Sequence, residues 1–352
     1  MLEILGRVND QMPTTPSAEP LISIVLPVYD GAAHLDAAVA SVLGQTLRDF
    51  ELLIIDDGSR DDSPRLARGW ARRDARVRAL SRENRGLVRT LNEGVGLARG
   101  RWIARMDADD VCAPGRLAAQ LAWLRGAGAD LCGGDIRTFG GGRRPKRIRH
   151  YAKEREIRTQ LLFDAPFAHP TVVARRELLL AHPYDDAFRH AEDYELWTRL
   201  ALKGARMTNC PEIVLHYRLH AAQVSAVASR EQDASRRRAA LAYRRALSLP
   251  DVPAAAFADM LDGRERLTPQ RFRAAVDGYR ALLRAGEDLA PNVLADNAFL
   301  FLARHADAGL RLMREAARGL PLPASKRALL LAMAASGLSP RGPLYALLKR
   351  AW

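Results

Sequence analysis

From residue 21 onward the chain alternates between short apolar, β-branched runs and longer stretches whose apolar residues recur at helical spacing. Residues 21–26, stopping at Pro27, and residues 51–55, 77–80 and 102–106 read as strands, and 131–132 as part of another. Residues 34–45 carry alanine, valine and leucine at helical spacing and read as a helix, as do 88–98 and 114–125, with a polar helix over about 61–73. This alternation predicts an α/β domain with a mostly parallel sheet flanked by helices. From about residue 230 strand signals stop, and helical segments punctuated by Pro250, Pro253, Pro269, Pro291, Pro321, Pro323 and Pro340 take over. The pattern divides the chain into a loose tail (1–20), an α/β domain (21–230) and an all-α C-terminal region (231–352). Residues 136–150, with Gly140-Gly141-Gly142 followed by five cations, read as a mobile basic loop.

Composition narrows the function classes. At 352 residues and 48% hydrophobic, the chain has enough apolar mass for a large core. Lys and Arg number 54 against 41 Asp and Glu, a net charge of +13. Only Lys146, Lys153, Lys203, Lys326 and Lys349 are lysines, so the excess is arginine, and residues 232–352 hold 20 basic against 11 acidic side chains. A surplus of this kind fits an anionic partner or simply an arginine-rich coding bias. Nucleic acid is a poor match, because aromatics are 6% and no RNP-like or zinc-finger pattern occurs. Cys112, Cys132 and Cys210 are odd in number and lack a Cys-x-x-Cys spacing, which fits a reducing cytoplasm. No apolar run reaches the roughly 20 residues of a membrane-spanning helix. No basic-then-apolar leader pattern opens the chain.

Three predicted strands run out at Pro27-Val28-Tyr29-Asp30, Asp56-Asp57-Gly58-Ser59 and Asp107-Ala108-Asp109-Asp110. In parallel sheets ligands bind beyond such carboxyl ends. No GxGxxG or GxxxxGK[ST] follows any of them, against a dinucleotide fold or a P-loop. Asp107, Asp109 and Asp110 repel one another, by several kcal/mol at about 4 Å. A hard divalent cation, Mg²⁺ or Mn²⁺, would relieve this, whereas a solvated acidic turn is the plain alternative. Asp56 and Asp57 exceed what a strand-to-helix turn with Ser59 or Asp61 as cap requires. One of them is free to accept from a base N–H or a ribose hydroxyl. Glu192-Asp193 opens a helical run through 194–202, where acids are ordinary dipole partners. His169, His216 and His220 read first as structural hydrogen-bonders. A serine nucleophile is excluded by the lack of GxSxG.

Taken in order, these pieces resemble the family 2 glycosyltransferases of GT-A fold, of the kind that builds bacterial surface polysaccharide. The match runs through Ile24-Val25-Leu26-Pro27-Val28-Tyr29-Asp30, Ser41-Val42-Leu43-Gly44-Gln45-Thr46 and Phe50 to Ser59. It continues through Asn84-Arg85-Gly86, Leu91-Asn92-Glu93-Gly94 and Asp107-Ala108-Asp109-Asp110, then His169-Pro170-Thr171 and Glu192 to Trp197. It closes with Tyr217-Arg218-Leu219-His220 and Gln223-Val224-Ser225. The resemblance covers about residues 21–226 and implies an inverting transfer of sugar from a nucleotide-sugar donor to a hydroxyl of a saccharide or lipid-linked acceptor. It implies that Pro27, Tyr29 and Asp57 hold base and ribose, with Asp30 nearby where the family often has asparagine. Asn84, Asn92 and Glu192 join the donor-binding set. Asp107 and Asp109 form the DxD pair around ribose, diphosphate and metal (Mg²⁺ or Mn²⁺), with Asp110 sharing the metal and His220 a further candidate ligand. Asp193 matches the general base. His169 or His220 would orient the diphosphate. A sugar nucleotidyltransferase on a related sheet would need a Gly-rich basic loop after the first strand, which Pro27-Val28-Tyr29-Asp30-Gly31 is not. Leucines 329, 330, 331, 344, 347 and 348, bordered by cations, fit either packing in the helical region or peripheral contact with an anionic membrane.

Overall fold

The structure, a computed structural model, describes residues 19–142, 144–219, 230–247, 249, 252–261, 266–285 and 288–336. The elements follow in the order β1 (Ile22–Val28), α1 (Ala32–Leu43), β2 (Phe50–Asp56), α2 (Ser63–Arg73), β3 (Val77–Ser81), α3 (Leu87–Leu97), β4 (Trp102–Arg105), β5 (Val111–Cys112), α4 (Arg116–Ala127), β6 (Leu131–Phe139) and β7 (Arg147–Ile148). Then come α5 (Glu154–Gln160), β8 (Val173–Arg175), α6 (Arg176–Ala181), α7 (Glu192–Leu202) and β9 (Met207–Arg218). The helices α8 (Arg230–Ala246), α9 (Ala254–Leu261), α10 (Pro269–Arg284), α11 (Pro291–Arg304), α12 (Leu310–Ala317) and α13 (Ala324–Ala335) follow among the described residues.

Eight strands form one sheet in the order β3-β2-β1-β4-β8-β6-β9-β5, with β7 as a ninth paired to β6. The first four are parallel, β6 pairs parallel with β9, and β8, β5 and β7 run antiparallel to their neighbours. Along β1, Ile22, Ile24, Leu26 and Val28 pack towards α1 and α4, while Val25 packs towards α3. Both faces are covered, which is why the parallel strands read as continuous apolar runs.

The strand does not stop at Pro27, as the sequence suggests, but runs on to Val28. The missing N–H costs nothing there. Alternation turns residue 27 towards β4, whose pairing with β1 ends at Val25↔Arg105 and the Met106 N–H to Val25 bond. The basic stretch also differs from expectation. Instead of one loop, β6 continues to Phe139 and β7 returns beside it, Ile136 opposite Ile148. Gly140, Gly141 and Gly142 make the turn with φ of 81°, 60° and 67°. Asp135 ties the returning arm down by accepting from Arg147 and from the His150 N–H at 2.9 Å.

Proline marks helix starts in the C-terminal region: Pro269 and Pro291 occupy first turns, with the Thr268 side chain capping α10. These helices share a core with the α/β domain. One apolar cluster runs from Val25 and Ile103 through Trp197 to Tyr243, Phe272, Phe301 and Met333. Phe163 stacks on Tyr279 at 5.6 Å, and Tyr151 Oη donates to Asp296 at 2.7 Å. In α13, Leu330 and Met333 are buried, and Leu329 and Leu331 pack against the same cluster. Leu344, Leu347 and Leu348 lie outside the described residues, as do residues 1–18. Among the described residues no helix is long and apolar enough to cross a membrane.

Candidate active site

The ends of β1, β2 and β4 lie side by side, so their acidic turns share one rim of the sheet. The first two turns are stitched together. Asp30, in the left-handed region at φ 49°, accepts from the Arg60 N–H at 2.7 Å, and its own N–H donates to Ser59 Oγ at 2.9 Å. Asp61 accepts from the Ala32 N–H at 2.8 Å, and Asp56 from the Ser59 N–H at 3.1 Å. Asp57 is almost fully occupied: it accepts from the N–H groups of Arg85 (2.8 Å) and Gly86 (2.9 Å) and is ion-paired with Arg82. That leaves one lone pair on Oδ2. Gly58, at φ 77°, lets the 82–84 backbone close in, since a Cβ there would sit 2.6 Å from Asn84 N. Tyr29, 48% exposed, presents its ring at the rim.

The β4 turn is built differently. One carboxylate oxygen from each of Asp107, Asp109 and Asp110 lies within 4.8 Å of the others. Asp110 is buried; Oδ1 accepts from the Arg218 N–H at 2.8 Å, while Oδ2 is buried without a hydrogen-bond partner. Burial, followed by the charge of Asp107, pushes the Asp110 carboxyl up to about 8. Asp107 is likewise raised by burial, against the pull of Arg105. A buried carboxyl oxygen without a partner, on a residue clustered with two more carboxyl groups, belongs to an all-oxygen donor set for a hard divalent cation, and the residues fit one.

Arg105 links this cluster to the acid pair. Its guanidinium is 7% exposed and ion-paired with Asp107, yet neither Nε nor Nη1 makes a well-formed hydrogen bond. A small cavity lined by Leu91, Val95, Val172 and Tyr184 adjoins it. Glu192 and Asp193 open α7. Glu192 is buried, and burial plus the neighbouring Asp193 charge raise it to about 7. Asp193 is half-buried; burial raises its carboxyl, opposed by its hydrogen bond to backbone N–H and by Arg105 and Arg236. His169 is held neutral, well below its ordinary value, by burial and then by Arg105. It spends Nε2 on Tyr184 Oη at 2.9 Å.

The sequence model described as "Glycosyl transferase family 2" matches residues 23–181. The O-antigen biosynthesis glycosyltransferase WbnJ of Escherichia coli is 32% identical over 205 residues, spanning 57% of this chain and 80% of that protein. The chain belongs to glycosyltransferase family 2. An uncharacterized glycosyltransferase of Haemophilus influenzae is 27% identical over 238 residues, 61% of this chain and 70% of its own. Among solved structures, residues 1–349 of S. aureus TarS in complex with UDP-GlcNAc superpose with a TM-score of 0.57 at 14% identity, covering 90% of this chain and 92% of that one. That likeness establishes the GT-A fold.

Within this glycosyltransferase, Tyr29, Asp30, Asp57, Asp107, Asp109 and Asp110 share the rim, and Pro27 lies beneath it in β1. Asn84 is exposed beside Gly58. Asn92, expected in the donor-binding set, donates to the C=O and accepts from the N–H of Tyr184, each at 2.9 Å, a clamp on the residue that holds His169. His220 lies outside the described residues. Sequence reasoning missed Arg105, whose signal was a lone charge inside the apolar run 102–106. It also missed Arg82, which ties Asp57 to Glu93, and Arg218, whose Nε donates to the Asp109 C=O at 2.7 Å.

Proposed function

We propose that this glycosyltransferase moves a sugar, with inversion, from a nucleoside-diphosphate sugar on the β1–β2–β4 rim to a hydroxyl of a saccharide or lipid-linked acceptor. The carrying observation is the buried, unpartnered Asp110 Oδ2 inside the Asp107–Asp109–Asp110 cluster. Those three carboxylates would hold Mg²⁺ or Mn²⁺, which when bound offsets the charge that grows on the departing diphosphate. The exposed Tyr29 ring offers a platform for the base. The remaining Asp57 lone pair and the Asp30 and Asn84 side chains offer polar contacts to base and ribose. TarS binds UDP-GlcNAc on the same fold, which favours a nucleotide-sugar donor, and the E. coli relative acts in O-antigen biosynthesis, which favours a surface-polysaccharide product.

Asp193 is the base: it is half-buried and within reach of an acceptor, whereas Glu192 is buried. As the acceptor oxygen bonds to the anomeric carbon, its proton passes to Asp193. The bond from that carbon to the phosphate oxygen breaks on the opposite face, its electron pair leaving with the diphosphate. A single base and no covalent nucleophile give inversion. Three buried free thiols favour work in the cytoplasm. The test pairs a thermal-shift panel of nucleotide-sugars plus Mn²⁺ with a transfer assay on the stabilising donor. Asp193→Asn should then lower kcat by about 10²–10⁴-fold with donor binding kept, and activity within a few-fold of the parent would refute the base.

A further inference from the structure

The acid pair is delivered to the head of α7 by a segment with little core of its own. Asp185, Ala187, Arg189 and His190 are exposed, and His190 sits in the left-handed region at φ 63°, two residues before Glu192. Such a conformation in a non-glycine residue persists only when its surroundings impose it. Much of what holds it comes from α8. Gln232 Nε2 donates to the His190 C=O at 2.9 Å. Arg238 donates to the Ala187 C=O and lies over the Phe188 ring, 3.9 Å from its centroid. Arg236 is ion-paired with Asp164, and both charges act on Asp193. Below this polar strap, Ala239, Ala240 and Tyr243 anchor α8 in the shared core.

We propose that α8 is a working part of the transfer site, with Gln232, Arg236 and Arg238 as positioning residues that fix the 186–193 backbone and so aim Asp193. The inference rests on the reading of Asp193 as base, and it gives the first helix of the C-terminal region a role in the reaction. None of these residues touches the reacting atoms; they act through the backbone of the segment and through charge. A misplacement of about 1 Å at a catalytic group can cost on the order of 10²-fold in rate. The groups acting on Asp193 come from four directions: Arg105 of β4, Tyr184, the Asp164–Arg236 pair, and Glu192 on its own helix. Arg236 stabilises the anion, whereas Asp164 opposes it.

Two variants of the full chain test this. The double change Gln232→Ala with Arg238→Met should lower kcat roughly 10-fold or more, with the donor KM within about twofold and the melting temperature within about 3 °C of the parent. Arg236→Gln and Asp164→Asn should move the acidic limb of the kcat–pH profile in opposite directions. Losing the cation raises the pKa of Asp193 and shifts the limb to higher pH; losing the competing anion lowers it. Both partners are partly exposed, so each shift should be a few tenths of a pH unit at low salt and shrink in about 0.5 M salt. Arg236→Lys should restore the parent limb. A kcat within twofold of the parent, a loss matched by a fall in melting temperature, or limbs that stay put or move together would each overturn the proposal. Asp193→Asn separates the two ideas. If it is inactive while the α8 variants behave as the parent, the strap fails and the base stands; if it is active, the base fails and takes the strap with it.

Discussion

Two acidic turns stand on parallel strands of one sheet, β2 and β4, with β1 between them, and they are opposite in construction. After β2, Asp56, Asp57 and Asp61 each accept backbone N–H groups, and Asp57 also holds Arg82. Burial would raise the Asp61 carboxyl, yet hydrogen bonds from Ser63 and Ala32 outweigh it and leave the carboxyl below its ordinary value. After β4 the direction reverses: Asp107 and Asp110 are raised by burial and mutual repulsion, and Asp110 keeps one buried oxygen with no partner. The first turn uses its carboxylates as glue for three loops. The second leaves one buried oxygen, Asp110 Oδ2, without a partner. Counting acids in a motif therefore does not separate a scaffold from a cation site, whereas following each oxygen to its partner does.

The largest expected effect breaks this comparison on the β4 side. Asp110→Asn keeps an acceptor for the Arg218 N–H but removes the anionic oxygen. Transfer should fall roughly 10²–10³-fold, with the folded protein no less stable than the parent. On the β2 side the outcome should invert. Asp57→Asn weakens the hold on Arg82 and on the 85–86 backbone, so denaturant unfolding should show a loss of about 2 kcal/mol with stabilisation by Mn²⁺ retained. The smallest effect falls on Asn92. Its replacement by Ala frees the Tyr184 backbone and should cost about 1–2 kcal/mol in stability while leaving the donor KM within about twofold. A large rise in that KM would instead place Asn92 in the donor site.

Most of the rim was legible because it follows from local chemistry. Apolar runs ending in acidic turns gave β1, β2 and β4 and put their polar residues at one edge of a parallel sheet. Three things were not legible, each for a non-local reason. Pro27 sits inside a strand because β4 ends beside it, a fact of pairing rather than of sequence. The 136–150 stretch forms a hairpin because Asp135 accepts from Arg147 and His150 across the turn. Arg105 reads as one more residue in an apolar run, and its importance comes from what surrounds it: Asp107, His169, Tyr184 and the acid pair. The arginine surplus was legible as charge but not as use. Arg218, Arg236 and Arg238 bond the backbone and acids around the site, work that composition cannot distinguish from an anion-seeking surface.

The raised Asp110 carboxyl fixes the sign of a pH effect. It titrates near 8 in the folded, metal-free protein against an ordinary value of 3.8, so the folded state binds a proton that the unfolded chain releases. Its contribution to stability is whole below about pH 4 and is lost as pH rises towards 8. A cation at the cluster must displace that proton. The decisive measurement is a calorimetric Mn²⁺ titration at pH 7, in two buffers of different ionisation enthalpy, on the parent, Asp110→Asn and Asp57→Asn. The parent and Asp57→Asn should each release about one proton per ion, at affinities within about threefold of each other. Asp110→Asn should bind at least about 10-fold more weakly and without proton release. Mn²⁺ binding that ignores the Asp110 change, or that is lost equally with Asp57, would contradict this.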